Sequence, residues 1–373
     1  MTTFVTSPHR RVAFDWARGW VMVLMALDHA SMFFNPGRVA SDSVFFYKKT
    51  ALPLGQFMLR WITHLCAPSF LFLAGVGIAY SVIRREARGE SKSSIDRHLL
   101  IRGLILIGLD LTYISLNIMA PFLQVLFAIG SCLLFMIPLR RLPLVGLIGL
   151  AAAWMLGGEY LTLLVWNPLE GQCPAVLAPL IGFYKSKYMF VLYPTLPWLP
   201  AMLLGWSLGA WLAKKKQGNA QDVYKVLLGA GTLLLLVFLV VRGLNGYGNF
   251  LLYRLDGSLA QWLHVNKYPP SLSFLSLELG ILAFLLVACL WREGKGVVKQ
   301  NGPLLVWGQT ALFFYLLHFL LLTVIRATLG SVLPRSLPTA FGVFVGLLLI
   351  LYPLCRWYRS YKQARPDSWV RYF

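Results

Sequence analysis

The sequence predicts an all-α integral membrane protein, a bundle of about ten transmembrane helices with both termini in the cytoplasm. Three observations predict it. Of the 373 residues, 58% are hydrophobic and only 13% are charged, where a soluble domain carries about 25% charged residues. Ten stretches approach the roughly 20 mostly apolar residues that a helix needs to cross a bilayer. The basic residues are unevenly shared between the loops that join those stretches. No polar stretch is long enough to bury a core of its own, so residues 1–373 form a single transmembrane domain with a short basic tail, 356–373.

The stretches are 13–33, 60–82, 103–120, 122–139, 143–158, 196–213, 226–244, 272–291, 303–325 and 338–355. An even number puts both termini on one side. With that assignment 22 of the 34 Lys and Arg fall on the terminus side and 11 on the other, while Arg18 lies inside the first span. The two-to-one bias is the positive-inside pattern. It accounts for much of the net charge of +20, which in a soluble chain would point to nucleic acid. The first span is interrupted by Arg18, Asp28 and His29 and precedes no small-x-small site, so it does not read as a cleaved signal peptide. Loops 34–59, 159–195 and 245–271 are long and fall outside. Leu161–Trp166 and Val176–Phe183 are too short to span and read as re-entrant or interfacial pieces. The five cysteines form no CxxC pair, so neither a disulfide framework nor a metal site is expected.

Ionisable residues inside spans are costly and mark function by default. Arg18 and His29 are eleven positions apart. On an α-helix that is within about 20° of whole turns and rises about 16 Å, so both share one face with Met22 and Met25 between them. A guanidinium suits phosphate, and an imidazole suits general-base work near neutral pH. The competing explanation is a snorkelling anchor and a polar cap. His64 lies at the outer end of the second span, at a depth like that of His29, and two antiparallel neighbours would put both in one pocket. Pro68 is expected to kink the helix beside it. Tyr315 and His318 share a face of the ninth span, and the alternative for His318 is an ordinary interhelical hydrogen bond. Asp110, Tyr113 and Asn117 form one stripe in the third span, and Glu278 is a candidate partner for an Arg or His. No phosphate-binding loop, dinucleotide fingerprint or zinc-protease motif occurs.

Six motifs in order resemble the heparan-alpha-glucosaminide N-acetyltransferase-like family. They are Phe14-Asp15-Trp16-Ala17-Arg18-Gly19 running on to Asp28-His29; Arg60-Trp61-Ile62-Thr63-His64-Leu65-Cys66-Ala67-Pro68; Leu123-Gln124-Val125-Leu126; Tyr193-Pro194-Thr195-Leu196-Pro197-Trp198; Lys267-Tyr268-Pro269-Pro270-Ser271-Leu272; and Phe313-Phe314-Tyr315-Leu316-Leu317-His318. The resemblance runs from about residue 11 to 320. It implies an acyltransferase that takes an acyl, chiefly acetyl, group from cytoplasmic acyl-CoA and delivers it to a glycan or amino-sugar acceptor at the outer face. The Arg18/His29 spacing also resembles the R-x10-H signature of the wider membrane acyltransferases, whose histidine is the proposed catalytic residue. The resemblance therefore implies His29, Asp28 and His64 as catalytic residues, and Arg18, Asp15 and Gln124 as contacts to acetyl-CoA. Lys267, Tyr268, Tyr315, His318 and Trp198 would contact the acceptor, and no metal is expected.

Two departures stand out. The lysosomal members use a histidine in the first outer loop, and residues 34–59 contain none; Gly308-Gln309-Thr310 replaces a Gly-Arg pattern. Direct transfer and a covalent acyl-histidine both stay open. A transporter or flippase with a polar path and no acyl transfer is the competing class. The expected partners are the bilayer, acyl-CoA and the acceptor, without nucleic acid; a homodimer is compatible with the sequence but not specified by it. The lack of N-x-Ser/Thr sequons fits a bacterial inner membrane.

Overall fold

In a bilayer, apolar runs must satisfy their backbone groups internally, so they become helices. The computed structural model describes residues 11–118, 121–214, 220–296, 298–365 and 368. Arg10, residues 119–120, Lys215, Lys216 and most of the basic tail past residue 365 lie outside the described residues, as does the side chain of Asn117.

The chain begins with α1 (Val12–Phe34) and α2 (Leu54–Ile62); a 3-10 turn (Thr63–Leu65) leads into α3 (Cys66–Ala87). Then come α4 (Lys92–Leu109), a π-helical turn (Asp110–Ile114), α5 (Ser115–Ile118), β1 (Phe122–Leu123), α6 (Val125–Leu139) and α7 (Leu144–Val165). α8 (Ala178–Ile181), β2 (Tyr184–Lys185) and β3 (Phe190–Val191) precede α9 (Thr195–Lys214) and α10 (Ala220–Leu244). α11 (Leu259–Leu263), α12 (Leu272–Gly294), α13 (Pro303–Gln309), α14 (Ala311–Leu329) and α15 (Leu337–Ala364) complete the chain.

Each of the ten apolar stretches contains helix among its described residues, although α4 starts eleven residues before the third stretch and the fourth opens in the short strand β1. Among the described residues, seven helical stretches are long and apolar enough to cross a membrane: 54–87, α7, α9, α10, α12, α14 and α15. The other three sequence spans correspond to α1, whose polar residues lower its hydropathy; to α4 with its π-helical continuation; and to α6, which has 15 residues.

Two predicted spans are interrupted. The second starts earlier than expected, at Leu54, and tightens into the 3-10 turn at Thr63–Leu65. Pro68 has no N–H to offer the His64 carbonyl, which is why the helix changes there. The ninth breaks at Thr310 between α13 and α14. A Cβ at Gly308 or at Gly19 would collide with the facing backbone, at the Asp15 carbonyl and the Leu304 carbonyl respectively. Only glycines let α13 lie this close to α1.

α3, α9 and α12 are mostly buried, whereas α7, α10, α14 and α15 bury less than a third of their apolar windows and turn Leu, Val and Ile outward. α1 is packed among α3, α12, α13, α14 and α15. Between α3 and α9 the contact runs through small residues, as membrane helix pairs favour. A Cβ on Gly205 would strike the Phe72 carbonyl, and one on Gly75 would strike the Met202 carbonyl. Gly205→Val is therefore expected to destabilise the bundle by about 1–3 kcal/mol or more through overpacking. Gly229, on α10, has nothing within 4 Å of an added Cβ. Thermal unfolding in detergent checks this: Gly205→Val should melt well below wild type while Gly229→Ala does not.

Among the described residues of the 159–195 region, the predicted 176–183 piece holds only the four-residue helix α8. Leu161–Val165 are the last turns of α7. The rest forms a small cap, in which β3 pairs parallel with β1 and antiparallel with β2. Trp166, Cys173, Phe183 and Phe250 bury a second apolar cluster there, and Phe45 stacks on Trp166. All five cysteines are free and buried. The 245–271 loop is tied down by Arg242, which is fully buried. Its guanidinium donates to Asn249 Oδ1 and to the carbonyls of Trp262, Leu252, Gln261 and His264. An arginine counted as an outer basic residue is thus a loop anchor.

Candidate active site

α1 places its two polar ends in different surroundings. At the Arg18 end, Nη1 donates to Asp15 Oδ1 at 2.9 Å and to the Gly308 carbonyl at 3.3 Å, while Nη2 donates to the Leu73 carbonyl at 3.3 Å. Gln309 Nε2 donates to Asp15 Oδ2, and Arg359 Nη1, from α15, donates to Gln309 Oε1. Asp15 and Arg18 are thus an i, i+3 pair that also clamps α13 and α3, with about a fifth of the Arg18 side chain exposed.

At the other end, His29 is half-buried and its Nδ1 lies 2.7 Å from His318 Nε2. The two rings are nearly parallel, with centroids 5.0 Å apart, and Phe319 covers the His29 ring at 4.5 Å. The pocket expected to join His29 and His64 directly is built differently, because His318 is the histidine that touches His29. Asp28, expected beside His29 as its orienting group, turns instead to two arginines. Its Oδ1 accepts from Arg38 Nη2 at 3.0 Å and from Arg60 Nη1 at 2.6 Å.

Arg60 is the link to His64. From the C-terminal turn of α2 it also donates through Nε to Asp42 Oδ2 at 2.8 Å, and its Nη2 contacts the same oxygen. Asp42 Oδ1 lies 3.3 Å from His64 Nε2. Asp42 belongs to the 35–53 loop, outside the spans. Its burial alone would push the carboxyl pKa up, but Arg60, His64 and Lys267 outweigh that and hold it well below the usual carboxylate range. Thus Asp28–Arg60–Asp42–His64 is one connected polar cluster, and His29, next to Asp28 in the chain, pairs with His318 beside it.

Lys267 is 3% exposed, and its backbone N–H donates to the Asp42 carbonyl at 2.8 Å. Its ammonium makes no ion pair among the described residues and lies 5.3 Å from the Tyr268 ring centroid. It nevertheless acts electrostatically on Asp28, His29, Asp42, His64 and Glu278. The Tyr268 and Tyr193 hydroxyls are 3.3 Å apart, and Tyr193 stacks on the fully buried Trp198 with centroids 5.0 Å apart. Trp198, Tyr193 and Tyr268 therefore form one wall beside Lys267. Of the other loop aromatics, Trp166 is in the cap, Trp262 lies against Arg254, and Tyr188 is exposed.

Other expected members sit elsewhere. The Asp110–Tyr113 stripe is tied to backbone groups: Asp110 Oδ2 accepts the Gln124 and Phe127 N–H groups at the start of α6, and the Tyr113 hydroxyl donates to the Leu316 carbonyl. The π-helical turn shifts the register that a regular helix would have given. Gln124 is the residue before α6, with its side-chain nitrogen buried and without a hydrogen bond. Tyr315 is buried with its hydroxyl unpartnered, its ring 5.5 Å from that of His318. Glu278 pairs with no Arg or His among the described residues; its Oε1 is buried and unpartnered. His318 offers a substrate little, since both its ring nitrogens face protein atoms, Nε2 toward His29 and Nδ1 toward the Phe314 carbonyl at 3.2 Å. Sequence reasoning missed Asp42 altogether and counted Arg38 and Arg60 only as outer charges. Buried carboxylates in an aperiodic loop leave no spacing signal. Among the described residues no group of three or more His, Cys, Asp or Glu is arranged to hold a metal ion.

The cluster can bind and move protons at one end of a helix whose other end carries a guanidinium. The model of the family described as heparan-alpha-glucosaminide N-acetyltransferase, catalytic, matches residues 10–242. The match includes both ends of α1, Asp42, Arg60, His64 and the Tyr193–Trp198 wall; the motifs around Lys267 and His318 lie beyond it. No curated protein matches the chain. With well over half of its length matched, the chain belongs to the heparan-alpha-glucosaminide N-acetyltransferase catalytic family, a family of membrane acetyltransferases.

Proposed function

We propose that this protein moves an acetyl group from cytoplasmic acetyl-CoA to an amine or hydroxyl of an amino-sugar or other glycan acceptor at the outer face of a bacterial inner membrane. The observation that carries this reading is α1 itself. One helix holds Arg18 near its start and, eleven residues on, a half-buried histidine clamped through one ring nitrogen. The rise between them, about 16 Å, is of the order of an extended phosphopantetheine arm.

In this reading Arg18, oriented by Asp15, meets the anionic end of the donor, because a guanidinium fork suits phosphate oxygens. His29 removes the proton from the acceptor N–H or O–H. The acceptor atom attacks the thioester carbonyl carbon, the C–S bond breaks, and His29 returns the proton to the leaving sulfur. Lys267 adds positive charge where negative charge develops on the carbonyl oxygen. Trp198, Tyr193 and Tyr268 give a sugar ring an aromatic wall. His64 and Asp42 hold the loop that carries this charge pattern.

Purified protein in lipid nanodiscs, given acetyl-labelled acetyl-CoA and glucosamine-terminated oligosaccharides, is expected to yield acetylated acceptor and free CoA in equal amounts. If proteoliposomes move solute without releasing CoA, the transporter class replaces this reading. If acetyl-CoA does not bind at all, the reading fails.

A further inference from the structure

We infer that His318 is a positioning residue: it fixes the proton of His29 on Nδ1 and so makes Nε2 the basic atom. The inference rests on the reading of His29 as the general base, and it follows from the partners of four ring nitrogens.

A carbonyl oxygen only accepts. His318 Nδ1 faces the Phe314 carbonyl at 3.2 Å, so Nδ1 is the nitrogen that carries the hydrogen. His318 is fully buried among the rings of Phe314, Tyr315 and Phe319, surroundings that disfavour a second proton on it. Its Nε2 is therefore a lone pair. His29 Nδ1 lies 2.7 Å from that lone pair and must be the donor. One ring nitrogen of a neutral histidine is protonated and the other is not, so His29 Nε2 is unprotonated. No hydrogen bond engages it among the described residues.

The direction survives the reaction. When His29 takes the acceptor proton on Nε2, its Nδ1–H still donates to His318 Nε2, and the imidazolium gains a charge-assisted hydrogen bond. The new N–C or O–C bond forms as the C–S bond breaks, and the proton on Nε2 goes to sulfur; Nδ1–H never leaves. The partner of the base's second nitrogen is commonly a carboxylate or carbonyl. Asp28 is the nearest carboxylate in sequence, but Arg38 and Arg60 occupy it, so a neutral histidine takes that place.

Two variants and one spectrum test this. In His318→Gln the side-chain oxygen can still accept from His29 Nδ1; in His318→Phe nothing can. His318→Phe is expected to lower kcat on the order of 10- to 100-fold, by analogy with the partners that orient metal-bound histidines, with both KM values little changed. His318→Gln should keep most of the activity. Nitrogen-15 NMR of ring-labelled histidine, assigned with His29→Gln, should show a single Nδ1–H tautomer at His29 in wild type and in His318→Gln, and a mixture in His318→Phe. Wild-type kinetics in His318→Phe, or a protonated Nε2 at His29 in the wild-type resting protein, overturns the inference. If His318→Phe does not fold, the wild-type and His318→Gln spectra still decide. The spectrum requires no turnover, so it separates failure of the tautomer from failure of the acetyltransferase reading, which His29→Ala tests.

Discussion

His29→Ala is expected to cut CoA release in the presence of acceptor by about 10²- to 10⁴-fold, the usual contribution of a positioned acid–base group. The alanine removes the half-buried ring nitrogen proposed as the base, and it also unpairs His318 Nε2 in a buried site. Acetyl-CoA affinity should stay near wild type, because the proposed phosphate contact lies at the far end of α1. Steady-state CoA release and direct donor-binding measurements on the same preparation separate the two effects. His64→Ala should lose less, since His64 is 1% exposed and lies against Asp42, whereas His29 is half-buried. Wild-type rates in both variants would remove the catalytic assignment altogether. A stable acetyl-histidine trapped at residue 29 would favour the covalent route over direct transfer.

Arg60→Ala is expected to be the most destabilising single change at the site. Arg60 is 5% exposed and neutralises both Asp28 and Asp42. Removing one partner of a buried ion pair typically costs about 3–5 kcal/mol, because the other charge stays buried and unpaired. Here two carboxylates lose their shared cation, with only Arg38 left on Asp28. The loop carrying Asp42 also receives the Lys267 N–H and the Arg60 guanidinium, so it should detach first. Thermal unfolding and yield of monodisperse protein report this, and adding Asp42→Asn to Arg60→Ala should recover part of the loss. An Arg60→Ala protein that melts with wild type would show that the cluster does not hold the loop. The pH response follows from the depressed Asp42 carboxyl. A group with a lowered folded pKa contributes its stability above the unfolded value, about 3.9, and loses it as pH falls through the folded value. The melting temperature should therefore be insensitive to Asp42 above about pH 5 and fall in stronger acid. Asp42→Asn should flatten that acid limb.

Most of α1 was legible beforehand. The Arg18/His29 spacing and the costly Asp28 are both local in sequence, whereas the close approach at Gly19 came only from packing. The second and ninth spans were legible as apolar stretches, but their breaks were not fully so: Pro68 signalled the turn at Thr63–Leu65, whereas Thr310 carries no proline. The partners escaped for a different reason. Asp28 looked like the group that orients His29 because it is its neighbour, but consecutive helical residues point about 100° apart, and that angle turns Asp28 to Arg38 and Arg60. The polar stripe at Asp110 and Tyr113 assumed a regular period that the π-helical turn interrupts.

By itself the sequence determined the membrane class, the approximate position of most long helices, the acetyltransferase family and a set of candidate polar residues. Hydropathy and short-range spacing are properties of a line, and those conclusions need only a line. The tertiary structure decided which of these residues meet. Asp42 and His64 reach Asp28, the neighbour of His29, through Arg60, and His29 pairs with His318 from 289 positions away. The proton of a histidine is placed by whatever its other nitrogen touches, and only packing brings that partner in.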